Sequence, residues 1–202
     1  MQKDQNRVYR HYKTISQFYK GKKTSKNIPY INHIDEGVGY LELMGVSDTV
    51  VNAFILHPFV QCVNLKGTYN KTLLTKSELE EYVDIFELEP DVAYELLLYR
   101  KYANSYLCRP DTDGAAIMEA YSLIDTLQNH QTTVRMLIAD KLQNFKDFIK
   151  YREDHERAKH LTQYFIYWLS ILHNIVDSNS IRNMISKELS VISGNRYTIR
   201  GI

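Results

Sequence analysis

Three short segments of this chain carry side chains able to hold a metal ion, each at the edge of an apolar run. The first, Ile28-Pro29-Tyr30-Ile31-Asn32-His33, ends on an imidazole at the expected start of a helix. The second, Phe54-Ile55-Leu56-His57-Pro58-Phe59-Val60-Gln61, sets His57 near the end of an apolar helix. The third, Leu137-Ile138-Ala139-Asp140-Lys141-Leu142-Gln143-Asn144, spaces Asp140 and Asn144 at i and i+4, on one helix face. Two imidazoles and a carboxylate form a donor set suited to a divalent transition ion such as Mn²⁺. Spacing alone does not separate such a site from ordinary packing, because most single histidines in apolar segments are hydrogen-bonded core residues.

The elements that must position these groups read as helices. Val8, Tyr12, Ile15, Phe18 and Tyr19 recur at helical spacing, so a first helix is expected from about Asp4 to Tyr19. A basic loop follows, Gly21-Lys22-Lys23-Thr24-Ser25-Lys26-Asn27. A second helix is expected over about His33 to Met44, stopped by Gly45, and a third over about Asp48 to Phe59, capped by Ser47. Thr75-Lys76-Ser77-Glu78 has the form of a capping box opening a helix through about Phe86, and Pro90 suits the first turn of the next. Another helix is expected after Pro110-Asp111. Long helices then cover about Thr133 to Tyr151 and His155 to Val176, and a last one about Ser180 to Val191. No Asn-Gly or Asp-Gly turn sits between alternating strands. The expectation is an all-α protein with one compact helical domain over residues 1–192 and a polar tail over 193–202.

Bulk composition narrows the function classes. Lys and Arg number 25 against 24 Asp and Glu, a net charge of +1, so nothing demands a nucleic acid or an anionic membrane as partner. The basic residues Lys3, Arg7, Arg10, Lys13, Lys20, Lys22, Lys23 and Lys26 cluster near the N-terminus and could attract phosphates. No apolar run approaches the ~20 residues that span a bilayer. The two cysteines, Cys62 and Cys108, form neither a disulfide framework nor a CxxC metal pattern. A reduced, cytoplasmic protein is expected. Sixteen tyrosines accompany a single tryptophan. Tyr94, Tyr99, Tyr102 and Tyr106 could form a partner surface, though core packing explains them at least as well.

In their order and spacing, the three segments resemble the HD domain of the RelA/SpoT family, which includes small single-domain alarmone hydrolases. Gly21 through Pro29-Tyr30-Ile31-Asn32-His33, then Leu56-His57, then Ala139-Asp140-Lys141-Leu142-Gln143-Asn144 carry the likeness, which spans about Arg7 to Ile192. The resemblance implies an HD-type helical bundle with metal ligands at His33, His57 and Asp140. It also exposes departures. The aspartate of the family's His-Asp pair falls on Pro58, which has no side-chain oxygen and no N–H. The acid pair implicated in family catalysis falls on Gln61 and Cys62, and a basic Arg-Lys pair on Thr24 and Ser25, with Lys22, Lys23 and Lys26 close by. Asn144, which in the family reaches toward the nucleotide, is retained.

Hydrolysis in the family needs carboxylates to orient and deprotonate a metal-bound water. Their joint loss implies a degenerate HD protein without conventional hydrolase activity. Such a protein would bind a nucleotide or other phosphorylated ligand through Lys22, Lys23, Thr24, Ser25, Lys26 and Asn144, with no metal or a weakly held Mn²⁺. One alternative is a Mn²⁺-dependent (p)ppGpp-type pyrophosphohydrolase with an altered site, using Glu36, Asp35 or Asp154 as base. Another is an interaction scaffold that binds a protein partner or a second copy of itself.

Overall fold

A computed structural model of the chain describes residues 9–24, 26–61, 80, 83–84, 87–103, 124–152 and 158–194, with backbone alone at 61, 152 and 160. Every regular element among them is a helix. α1 (Tyr12–Tyr19) buries Ile15 completely. It begins later than the apolar spacing predicts, because residues 9–11 form a turn closed by Tyr12 N–H donating to the Tyr9 carbonyl at 3.0 Å. Gly21, at φ +73°, then reverses the chain. The basic loop folds back on itself: Thr24 N–H donates to the Ile28 carbonyl at 2.8 Å, Tyr30 N–H to the Lys22 carbonyl at 3.2 Å, and Lys23 pairs with Pro29 in an isolated bridge.

That closed loop delivers Tyr30 to the start of α2 (Ile31–Leu43). His33 therefore sits inside the first turn of α2, two residues later than the sequence places it. Gly45 ends the helix at φ +66°, as its type predicts. α3 (Asp48–Gln61) runs on through Pro58 and past Phe59. Every residue from Ala53 to Val60 is buried, so this helix is apolar all round and forms the centre of the protein. A proline in a helix interior removes one ladder hydrogen bond and costs about 3 kcal/mol, so a residue retained here must fit its surroundings well.

α4 (Pro90–Ala103) starts on the expected proline. α5 (Gln131–Arg152), α6 (Ala158–Ile175) and α7 (Asn179–Ser193) complete the bundle, and α7 closes on Gly194 at φ +56°. Ser193 is buried inside α7, so the helix extends into what the sequence assigns to the tail. Of the helix predicted over residues 75–86 only 80, 83 and 84 are described, all helical. The helix expected after Pro110, with Cys62, Cys108, Tyr106 and Asp154, lies outside the described residues.

α3 packs on α4 and α2, while α5 packs on α2, α6, α7 and α4, so α2, α3 and α5 meet near the centre. Tyr99, Tyr102, Phe54, Phe145 and Trp168 are among the largest fully buried side chains. Tyr99 and Tyr102 are thus core, whereas Tyr94 stands 54 % exposed. The α2–α3 contact depends on Gly37: a Cβ there would lie 2.3 Å from Phe54 Cζ. No described helix is long and apolar enough to cross a membrane.

Candidate metal centre

The junction of α2, α3 and α5 brings His33, His57 and Asp140 together, with one ligand-capable atom from each within 4.8 Å of the others. His33 Nε2 lies 3.0 Å from His57 Nε2. Asp140 Oδ1 lies 3.5 Å from His33 Nε2 and 3.9 Å from His57 Nε2. Donor atoms held 2.0–2.2 Å from one ion lie no more than about 4.4 Å apart, and all three separations fall inside that limit. His57 and Asp140 are buried, while the His33 side chain retains 21 % of its exposure.

The other nitrogen of each imidazole is anchored to an oxygen that can only accept. His57 Nδ1 donates to the Phe54 carbonyl at 2.5 Å. His33 Nδ1 donates to Gln143 Oε1, and the orientation of that amide is set in turn because Gln143 Nε2 donates to Asp147 Oδ2 at 2.8 Å. A neutral imidazole carries one N–H. With both rings neutral, both Nε2 atoms present lone pairs to each other and to a carboxylate; with His33 protonated, its Nε2–H donates to His57 Nε2 instead. Two lone pairs 3.0 Å apart repel unless a cation lies between them. Outer hydrogen bonds of this kind fix tautomer and ring orientation in metal sites.

Electrostatics keep His57 and Asp140 in their binding forms. Burial, reinforced by the neighbouring His33, pushes His57 down to about 3, so the ring stays neutral near pH 7. Burial alone would raise Asp140. Lys141, His33 and His57 outweigh it and hold the carboxyl at about 2. Lys141 is itself buried, with Nζ 2.8 Å from Asp140 Oδ2 and about 5.5 Å above the Tyr164 and Trp168 rings. Asn144 Nδ2 donates to Asp140 Oδ1 at 2.7 Å. The rings of Phe54 and Tyr99, 4.6 and 5.0 Å from the His57 ring, wall the inner side.

The remaining sequence candidates fall elsewhere. Lys22, Lys23 and Lys26 are exposed on the loop, with Lys22 Nζ 3.6 Å above the Phe18 ring. Thr24 Oγ1 accepts from Ile28 N–H at 3.2 Å and so serves the loop itself. Ser25, Cys62 and the Gln61 side chain lie outside the described residues. Pro58 is buried inside α3. Glu36 is tied to Lys146 at 2.8 Å and accepts from Asn32 at 3.2 Å, and Asp35 accepts from the Tyr12 hydroxyl.

Gln143, Asp147 and Lys141 escaped the sequence reading. Gln143 and Asp147 sit at i and i+4, a spacing at which Gln–Asp pairs hydrogen-bond along a helix, and that signal was present. No family model matches the chain, and no curated protein and no solved structure matches it either.

Proposed function

We propose that this chain is an HD-type helical protein that holds a divalent transition ion, Mn²⁺ or one of similar preference, at His33, His57 and Asp140. Through that ion and the adjacent basic loop it binds a nucleotide or other phosphorylated ligand, and it does not carry out the hydrolysis typical of the resembled family. The observation that carries the reading is the close approach of the two Nε2 atoms, 3.0 Å apart beside a buried carboxylate, with both Nδ1 atoms already used. Two imidazoles and one carboxylate suit such an ion, and three protein ligands leave positions for water or a phosphate oxygen. When bound, the ion would polarise that oxygen. The hydrolytic step itself lacks support, because the acid pair of the resembled family falls on Gln61 and Cys62, and Glu36 is held by Lys146.

The test is metal analysis of the purified chain, followed by Mn²⁺ calorimetry of the chelator-stripped protein with and without alarmone and purine nucleotides. Stoichiometric ion uptake that strengthens nucleotide binding is expected, with no released pyrophosphate. Absence of ion binding at millimolar Mn²⁺ would remove the metal reading and leave a proton shared between His33 and His57 as the occupant of the gap. Release of pyrophosphate would replace the binding reading with that of a hydrolase with an altered site, which the open coordination positions also accommodate.

A further inference from the structure

We infer that Pro58 is a positioning residue for the proposed ion site. By removing the N–H that would ordinarily bond the Phe54 carbonyl, it lets that carbonyl anchor His57 Nδ1 and aims Nε2 at His33 and Asp140. The inference rests on the proposed metal site for its purpose, but its first readout belongs to the metal-free chain.

In a regular helix the N–H of residue i+4 donates to the carbonyl of residue i. Position 58 is i+4 from Phe54. Proline has no N–H to give, and its ring crowds the same carbonyl and tilts it away from the helix axis. His57 is i+3 from Phe54, and residues three apart are neighbours on the helix surface. Its Nδ1 occupies the place the missing N–H vacates, 2.5 Å from the Phe54 oxygen. The carbonyl can only accept, so Nδ1 carries the proton and Nε2 is bare. The Phe54 and Tyr99 rings hold the imidazole plane in that setting.

A residue with an N–H at position 58 would reclaim the carbonyl for the helix ladder. His57 would then be free to protonate Nε2 and donate to Asp140, a tautomer that cannot bind an ion through that atom. The position that supplies a ligand in the resembled family would thus, in this chain, supply orientation to the ligand beside it.

Long-range ¹H–¹⁵N NMR on histidine-labelled, chelator-stripped full chain reads the tautomer directly. Wild type is expected to show His57 protonated at Nδ1. Pro58→Ala is expected to shift population to the Nε2–H form and to weaken Mn²⁺ binding by roughly tenfold, the scale of lost outer hydrogen bonds to metal-binding histidines. Its thermal midpoint should rise as the helix regains a bond. Pro58→Leu, which restores the N–H while keeping buried volume, carries the same test if the alanine variant is unstable. A wild-type His57 protonated at Nε2 would overturn the inference, as would variants with unchanged tautomer and unchanged affinity. If wild type binds no ion, the proposed function fails, and the tautomer shift between wild type and variant alone decides the role of Pro58.

Discussion

The α2–α3–α5 junction and the loop between α1 and α2 both gather polar side chains, but they hold them in opposite ways. At the junction, His57, Asp140 and Lys141 are buried and each is fixed by a named partner: the Phe54 carbonyl, Asn144 and Asp140. In the loop, Lys22, Lys23 and Lys26 are exposed, and backbone hydrogen bonds together with Thr24 Oγ1 close the turn. A buried, oriented donor gains little from rearrangement and loses much from deletion. An exposed charge is screened by salt and water and contributes a small, adjustable attraction. The difference teaches that the junction would set whether an ion binds, while the loop would tune what anion joins it.

The largest effect that could break this comparison is removal of Asp140. Asp140→Ala strips the anion from a buried lysine, and breaking one side of a buried pair costs about 3–5 kcal/mol. Urea unfolding should show a loss of that size, and calorimetry should show no Mn²⁺ uptake. A variant as stable as wild type would mean that the pair is open to solvent.

Next in size is acid sensitivity of the metal-free chain. His57 titrates near 6.5 when unfolded and near 3 when folded, so between those values the unfolded chain binds the extra proton. Asp140, at 3.8 unfolded and about 2 folded, acts in the same direction lower down. Stability should therefore rise with pH and be lost as pH falls from about 6.5, by on the order of a few kcal/mol in all. Urea midpoints measured from pH 7.5 to 4 check this. A flat profile would show that His57 is not held neutral.

A smaller effect tests the wall behind the site. Gly37→Ala places a methyl where the Phe54 ring now sits. Overpacking of this kind costs typically 1–3 kcal/mol. The thermal midpoint should fall, and Mn²⁺ affinity should fall with it because Phe54 carries the carbonyl that anchors His57. The smallest effect belongs to the loop. Replacing Lys22, Lys23 and Lys26 together by alanine should leave stability within about 0.5 kcal/mol and ion uptake unchanged. Binding of a phosphorylated ligand should weaken several-fold and lose much of its salt dependence. Loss of ion uptake in that variant would erase the division between the two regions.

Much of the junction was legible in the sequence, and the reasons are local. Helices α2 to α7 follow from apolar periodicity and from stops such as Gly45, and the segments bearing His33, His57 and Asp140 stand out by residue type. Less legible was what surrounds those side chains. Lysine is almost never buried unless paired, and the segment around Lys141 does not by itself show that it is buried beside Asp140. The contact of Gln143 with His33 is equally hidden, because nothing in its own helix says that a residue 110 positions earlier will meet it. Pro58 read as a missing ligand. Its effect on the Phe54 carbonyl is a backbone matter, invisible to a comparison of side chains.

The Lys141–Asp140 pair carries a consequence for charge balance. With one negative and one positive group, the centre is neutral before any ion arrives. A divalent ion in the proposed site would add two positive charges to that neutral pair, in buried surroundings. Ion and anion would then each raise the other's affinity by the same factor, as any pair of linked ligands must. A centre wired this way would respond to the product of two concentrations, filling when both ion and phosphorylated ligand are abundant and emptying when either runs low.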